Sequence, residues 1–295
     1  MIHKLKHSQI DKKQWDEAIT NSDNPHVYAL SWYLDIISPG WECLIHNNYQ
    51  VIMPLPVKQK LGVRYVVQPL FCQKIAVYGT EINNEQTSAF YKKLFRSFPY
   101  VNLSLQNDLK IKTAKYFQER INYTLNLSPF YLTLTKGFAE NTIRNIRKAE
   151  EAEIKVISCS GAEFNLFCLE NLKGLTYKEF EIFEKLVYEN IKQGTTHILK
   201  AKNAQDEILA TACFLVWNKQ IVYLAGASSS LGKELSAMFL IFDTIIKEYA
   251  STGFLLDFEG SMIPGVARFF KGFGAQPSSY YHIKKFFPYF STKLI

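Results

Sequence analysis

Apolar residues recur with periods that change from one segment to the next. GFAENTIRNIRKAEEA (137–152) sets Ile143, Ile146 and Ala149 at helical spacing, and 177–192 aligns Phe180, Phe183, Leu186, Val187 and Ile191 on one face. FYLTLT (130–135) and IKVIS (154–158) read as strands, and a further helix is predicted over 162–173. TTHILKAK (195–202), ILATACFLVWN (208–218) and QIVYLAGAS (220–228) are β-rich runs with turn signals at Gln205-Asp206 and Asn218-Lys219, which predicts an antiparallel meander. A helix over 233–250 turns Leu235, Met238, Phe239, Phe242, Ile245 and Ile246 inward. A strand at FLLDFE (254–259), a short helix at SMIPGVARFFKG (261–272) and a last strand at SYYHIKKFF (279–287) follow.

The first half repeats this order more faintly. Helices are predicted over 11–21 and 30–38, meander strands over 41–47, 50–59 and 63–71, and a helix over 83–98. A strand at 101–106, a short helix at 112–118 and a strand at 122–128 complete it. Pro129 interrupts strand-like sequence, so the expected division is into lobes 1–128 and 129–295. The fold class is α/β (α+β), with each lobe a mixed, mostly antiparallel sheet flanked by helices.

Composition narrows the function classes. With 47% hydrophobic and 21% charged residues the 295-residue chain can bury two cores. Its apolar runs are interrupted by Asp243, Lys247 and Asp257, and its N-terminus lacks the apolar segment of a signal peptide. A soluble, cytoplasmic protein without membrane insertion is expected. The five cysteines are scattered without a CxxC pair, which argues for reduced thiols and against a zinc site; no metal is expected. Up to residue 128 there are 15 Lys+Arg against 10 Asp+Glu, and beyond it 19 against 17. That modest excess suits an anionic ligand but does not require one, and nothing in it points to DNA.

The order strand, helix, helix, three meander strands, helix, strand, helix, strand is that of a GNAT (N-acetyltransferase-like) domain. TIRNIRKAEE (142–151), YLAGASSS (223–230), LDFEGS (256–261) and ARFFKGFGA (267–275), together with the tandem order, resemble the FemAB-like branch of that superfamily. SWYLDIISPGWECL (31–44) and MPLPVKQKLGVRYVVQP (53–69) also look like bacterial proteins of this branch. The resemblance implies transfer of an acyl or aminoacyl group to an amine by direct attack. The donor would be acyl-CoA, as a co-substrate rather than a tightly bound cofactor, or aminoacyl-tRNA, with a peptidoglycan precursor as one acceptor. A non-catalytic binding protein on the same fold is the alternative. The chain has no GxSxG elbow and no Cys/His pair suited to a covalent intermediate.

Several residues follow as candidates. In GNAT folds two strands part after a bulge to admit the donor carbonyl, and Gly226 is expected at that bulge, against a plain strand-end glycine. SSSLGK (228–233) offers Ser228, Ser229, Gly232 and Lys233 as a phosphate cradle at a helix start, or as a simple capping loop. It does not reproduce the Q/R-x-x-G-x-G/A acetyl-CoA fingerprint. Asp257 and Glu259, two apart in a strand, would emerge on one side as paired carboxylates for a general base, or serve as a cap or ion-pair partner. Tyr223 is a candidate acid. Arg144 and Arg147 form a basic stripe that opposes the helix dipole and could meet an anionic substrate, or remain a solvated face. Lys271 belongs to the FKGFG string (270–274), for which the resemblance implies contact with substrate; Arg268 lies one turn earlier. Phe269, Phe270 and Phe273 are expected in the core.

Overall fold

The computed structural model describes residues 1–106, 117–260 and 262–286. They fall into two compact units, Met1–Arg120 with the chain from Ser279 onward, and Ile121–Ser278. The expected division at 128/129 drew these limits elsewhere. Strand pairing explains the difference: residues 124–126 pair within the second unit and 281–286 within the first.

The first unit holds β1 (His3–Leu5), α1 (Lys12–Thr20), α2 (Ser31–Ile37), β2 (Glu42–His46), β3 (Val51–Leu55), β4 (Val57–Lys60), β5 (Val63–Val67), β6 (Tyr78–Gly79), α3 (Asn84–Ser97) and β7 (Tyr100–Leu105). Strands β1, β2, β3 and β6 form an antiparallel sheet in that order. Trp15 and Trp41 are fully buried beside it, ring centroids 4.7 Å apart. Their indole N–H groups are satisfied by the Ala29 carbonyl at 2.7 Å and by Asp35 at 3.0 Å. The run expected as one strand over 50–59 is divided into β3 and β4 at Pro56, which has no N–H to donate. Strand β5 pairs antiparallel with β4 and parallel with β7. Most of the short helix expected over 112–118 lies outside the described residues.

The second unit begins within β8 (Phe117–Asn126) and continues through α4 (Tyr131–Thr135), α5 (Glu140–Glu151), β9 (Lys155–Ser158), α6 (Gly161–Asn171), α7 (Tyr177–Lys192), β10 (Thr196–Lys202), β11 (Ile208–Trp217) and β12 (Gln220–Ser228). Then come α8 (Ser230–Glu234), α9 (Ala237–Tyr249), β13 (Leu255–Asp257), α10 (Pro264–Gly272) and β14 (Gln276–Phe286), whose later part returns to the first unit. The predicted meander is present, with β11 antiparallel to β10 and to β12. Strand β11 is buried on both faces. Ala210, Ala212 and Phe214 join the cluster built on α5 and α9, while Thr211 faces Cys168 of α6, so each face carries its own helical layer.

Two predicted elements differ from those observed. FYLTLT is not a strand: Tyr131–Thr135 forms a helical turn that buries Leu134 and ties the Tyr131 hydroxyl to Asp243 at 2.8 Å, so tertiary contacts override its β propensity. The helix expected over 233–250 is two helices. Ser236, between them, is left-handed at φ 60° and donates its hydroxyl to Asn145 of α5 at 2.7 Å. Phe242, Phe258, Phe269, Phe270 and Phe273 form a chain of ring contacts at centroid distances of 5.2–6.4 Å; of the expected aromatics Phe270 and Phe273 are in the core, and Phe269 packs against it partly buried.

The FKGFG string docks α10. A Cβ on Gly272 would lie 2.3 Å from Thr142 Oγ1, and Gly274, at φ +77°, has its own Cβ position 3.1 Å from the Gly137 carbonyl oxygen. Glycine is required at both positions for α10 to reach the start of α5.

Candidate active site

The site is built where two parallel strands part. β12 pairs with β13 only over Gln220–Val222 against Leu255–Asp257. Along the same residues β13 also pairs with β8, and beyond Asp257 the chain stays with β8 alone: the Phe258 N–H donates to the Tyr123 carbonyl at 2.9 Å, and the Tyr123 N–H to the Glu259 carbonyl at 3.4 Å. β12 meanwhile runs on to Ser228, so from Tyr223 its edge away from β11 has no strand partner among the described residues.

A register shift marks the same point. Cys213 pairs with Ala225 and Phe214 with Tyr223, leaving Leu224 as the extra residue of a bulge. The bulge was expected at Gly226, which instead sits in register opposite Ala212. Its glycine has another cause. A Cβ there would lie 2.7 Å from both the Thr211 carbonyl oxygen and the Tyr223 hydroxyl, and 3.1 Å from the Met238 methyl. The phenol of Tyr223 rests in the space a side chain would fill.

A cavity of about 400 Å³ opens beside the bulge. Tyr223 and Ser228 of β12, Gly232 and Lys233 of α8, Ser236, Met238 and Phe239 at the start of α9, and Gly265, Val266, Phe269 and Phe270 of α10 line it. Its wall is largely apolar with a few polar groups, as ligand pockets are. Burial pushes the Tyr223 hydroxyl well above its ordinary pKa, so it is held protonated, and it makes no hydrogen bond to the described residues. Thus Tyr223, Ser228, Gly232 and Lys233 line one cavity, together with Met238 and Phe239, which the sequence placed only on an inward helix face, and with Ser236 and Val266, which carried no signal of their own.

The loop 228–233 is a cap. The Ser229 hydroxyl accepts from the Gly232 N–H at 3.0 Å, the Ser229 N–H donates to the Leu209 carbonyl at 3.0 Å, and the Lys233 N–H donates to the Ser229 carbonyl at 3.0 Å. The amides that a phosphate cradle would use at Ser229, Gly232 and Lys233 are therefore spent inside the protein, which favours the capping alternative for this loop. Gly232 is set by close approach, since a Cβ there would lie 1.9 Å from the Leu209 carbonyl oxygen.

The two carboxylates do not form the pair expected of them. β13 ends at Asp257, and Glu259 takes a left-handed φ of 62°, so strand alternation does not carry from one to the other. Asp257 is buried and accepts at one oxygen from the Asn122 amide at 2.9 Å and from the Glu259 N–H at 2.7 Å. It holds the turn. Burial raises the Glu259 carboxyl to about 8. Ser261 lies outside the described residues. The residue preceding α10 is Ile263, with Pro264 in the first turn.

The cations are dispersed. Lys271 is exposed, its ammonium 5.6 Å from the centre of the Tyr123 ring. Arg268 is exposed. Arg144 donates to Asn141 at 2.7 Å on the outer face of α5, and Arg147 lines a different cavity together with Asp243 and Glu150. Of the four, none lines the cavity at the strand splay. The thiols offer no nucleophile: burial raises Cys43, Cys72 and Cys168 to about 12 and Cys159 to about 11.

No known family profile matches the chain, and no curated protein does. Solved structures do. FemX superposes with a TM-score of 0.68 at 13% identity, over 95% of this chain and 97% of that one. The fold is that of FemX. The C-terminal domain of a proposed lysylphosphatidylglycerol synthetase from Agrobacterium fabrum shares it as well, with a TM-score of 0.59 at 9% identity over 93% of this chain and 91% of that one. L-PGS of Bacillus licheniformis follows at 0.57 and 9%, over 93% and 91%. At such identities the likeness to FemX is one of backbone architecture, in keeping with the mixed α/β class expected from the sequence. Among the described residues no helix is long and apolar enough to cross a membrane.

Proposed function

We propose that this protein transfers an acyl or aminoacyl group to an amine acceptor by direct attack. The observation that carries this reading is the parting of β12 from β13 after Val222 and Asp257, with the bulge at Leu224 and the cavity of about 400 Å³ at the same place. The open edge of β12 supplies backbone polar groups fixed beside a largely apolar cavity, an arrangement suited to a carbonyl whose oxygen gains charge. The acceptor's neutral amine attacks the carbonyl carbon, a C–N bond forms, and the bond to the leaving oxygen or sulfur breaks. Ionised Glu259 is assigned the proton that the acceptor ammonium loses in becoming the amine; once the C–N bond has formed, the nitrogen passes its second proton to the Tyr223 oxygen as the phenol gives its own to the leaving oxygen or sulfur. Both protons are accounted for without a covalent enzyme intermediate.

The state of the 228–233 loop favours an aminoacyl ester over acyl-CoA as the donor. Its amides at Gly232 and Lys233 are engaged in the cap, and a pyrophosphate would have to displace those bonds. The fold shared with FemX and with a lysylphosphatidylglycerol synthetase domain supports aminoacyl transfer in the broad sense. Acyl-CoA remains the second donor to assay, since Ser228 and Lys233 present side chains to the cavity.

The test is a transfer assay with charged tRNA and, separately, acyl-CoA esters against a set of amine acceptors, read as amide product. Tyr223→Phe should lower the rate by roughly 100-fold while the melting temperature changes little. Full activity in Tyr223→Phe and in Glu259→Gln would overturn the assignment of both residues. Absence of product with every donor would favour a binding protein on this fold.

A further inference from the structure

A second cavity, of about 370 Å³, lies where α4, α5 and α9 meet, and no residue lines both cavities. Its wall holds Asp243, a carboxylate only 6% exposed in a helix whose other buried residues are apolar. Burying a carboxylate costs several kcal/mol unless partners compensate. Asp243 has one. The Tyr131 hydroxyl donates to Oδ1 at 2.8 Å, while Oδ2 accepts from none of the described residues, on a side chain that faces the cavity.

The natural ion-pair partner does not close on it. Lys247 stands one helical turn on, yet its ammonium lies over the Tyr131 ring, 5.6 Å from the centre, and acts on Asp243 only through space, without an ion-pair contact. Glu150, on the same wall, adds a second negative charge, and both burial and that charge push the Asp243 carboxyl above its ordinary range. Arg147 and Lys136 face the cavity too. Arg147 and Glu150 are three apart on α5, but neither they nor Lys136 form an ion pair among the described residues. The cavity is therefore lined by two carboxylates and two cations that do not neutralise one another, with Phe138 as an apolar wall 8% exposed.

We propose that this cavity binds a free α-amino acid as its zwitterion, the ammonium on Asp243 and Glu150 and the carboxylate on Arg147 and Lys136. An isolated amine would leave the two cations without a partner, and a simple carboxylate would meet Asp243 and Glu150. A ligand carrying both charges satisfies all four, and it restores the missing hydrogen bonds to the Asp243 oxygen. The volume lies within the range of small-ligand pockets. The proposal is independent of the transfer reaction assigned to the strand splay.

Calorimetric titration of the full chain with each common L-α-amino acid, with N-acetylated and amidated forms as controls, tests it. At least one free amino acid is expected to bind, and its N-acetyl and amide forms should each bind at least about tenfold more weakly, having lost one charge. Asp243→Asn and Arg147→Gln should each cause a similar loss. Should Asp243→Asn fail to fold, Arg147→Gln and Glu150→Gln, at exposed positions, give the same reading. Absence of heat with every amino acid, or equal affinity for the N-acetyl and amide forms, would overturn the proposal. Unchanged affinity in Arg147→Gln and Glu150→Gln would overturn it as well. Because the readout is binding, it stands or falls apart from amide formation.

Discussion

Two cavities share helix α9 and differ in what they leave unsatisfied. At the strand splay, Ser236, Met238 and Phe239 join Val266 and Phe270 in an apolar wall whose polar members are a phenol, two serine hydroxyls and one lysine. One turn beyond Phe239, Asp243 turns the wall of the other cavity ionic, with Glu150, Arg147 and Lys136 around it. The first suits a neutral carbonyl passing between two carriers, and charge is needed only as the reaction proceeds. The second suits a ligand that is charged before it arrives. A single helix thus presents, within a few residues, one environment fitted to transient charge and one fitted to permanent charge.

The largest effect expected belongs to the first cavity. Gly232→Ala would place a methyl 1.9 Å from the Leu209 carbonyl oxygen, so α8 must shift from β11. We expect a loss of more than about 3 kcal/mol in denaturant unfolding, with transfer activity abolished and the ionic cavity's ligand binding kept in whatever fraction remains folded. If stability is unchanged, the close approach of α8 to β11 is not as described.

Glu259 gives a pH signature next in size. Its folded pKa of about 8 lies above the ordinary 4.5, so the folded state holds its proton more tightly than the unfolded state between those values. Stability therefore falls as pH rises from 4.5 toward 8 and levels off above it. Glu259→Gln should match wild type near pH 4 and exceed it at pH 9 by on the order of 4 kcal/mol, checked by urea unfolding at both pH values. An equal stability difference at the two pH values would show that the carboxyl is not held protonated by the fold.

Tyr131→Phe addresses the ionic cavity. Asp243 would lose its one donor among the described residues, and we expect a loss of about 1.5 kcal/mol, growing as pH rises and the carboxyl ionises. Thermal unfolding at pH 5 and pH 8 reads the difference. Smallest is Lys271→Ala: an exposed ammonium over the Tyr123 ring is worth only about 0.5 kcal/mol to the fold. A loss of transfer rate much larger than that would mark Lys271 as a substrate contact.

The same contrast explains what could be read from the sequence. The meander, helices α5, α6 and α7 and the aromatic core were legible because period and burial agree there, as at Phe180, Phe183 and Leu186. FYLTLT was not. Its β-rich composition points to a strand, and the bond from Tyr131 to Asp243, 112 residues away, is among the contacts that hold it as a helix. Gly226 and Gly232 were legible as unusual positions, but their cause is close approach to Thr211 and Leu209, which spacing along the chain cannot show. Asp257 and Glu259 separated for a similar reason: a left-handed residue after a short strand ends the alternation. Asp243 was visible only as a polar interruption in an apolar helix, and its open oxygen is a product of tertiary packing.

Comparing charged with deacylated tRNA at equal salt tests the central claim most directly, because only the former brings an acyl group to the cavity beside Leu224. The full chain should bind the charged form more tightly by at least about tenfold, and Val266→Trp, which fills the cavity wall, should remove that preference while leaving affinity for deacylated tRNA unchanged. Equal affinity for both forms in the unaltered protein, with acyl-CoA esters also failing to bind, would contradict an acyl group in the space between β12 and β13.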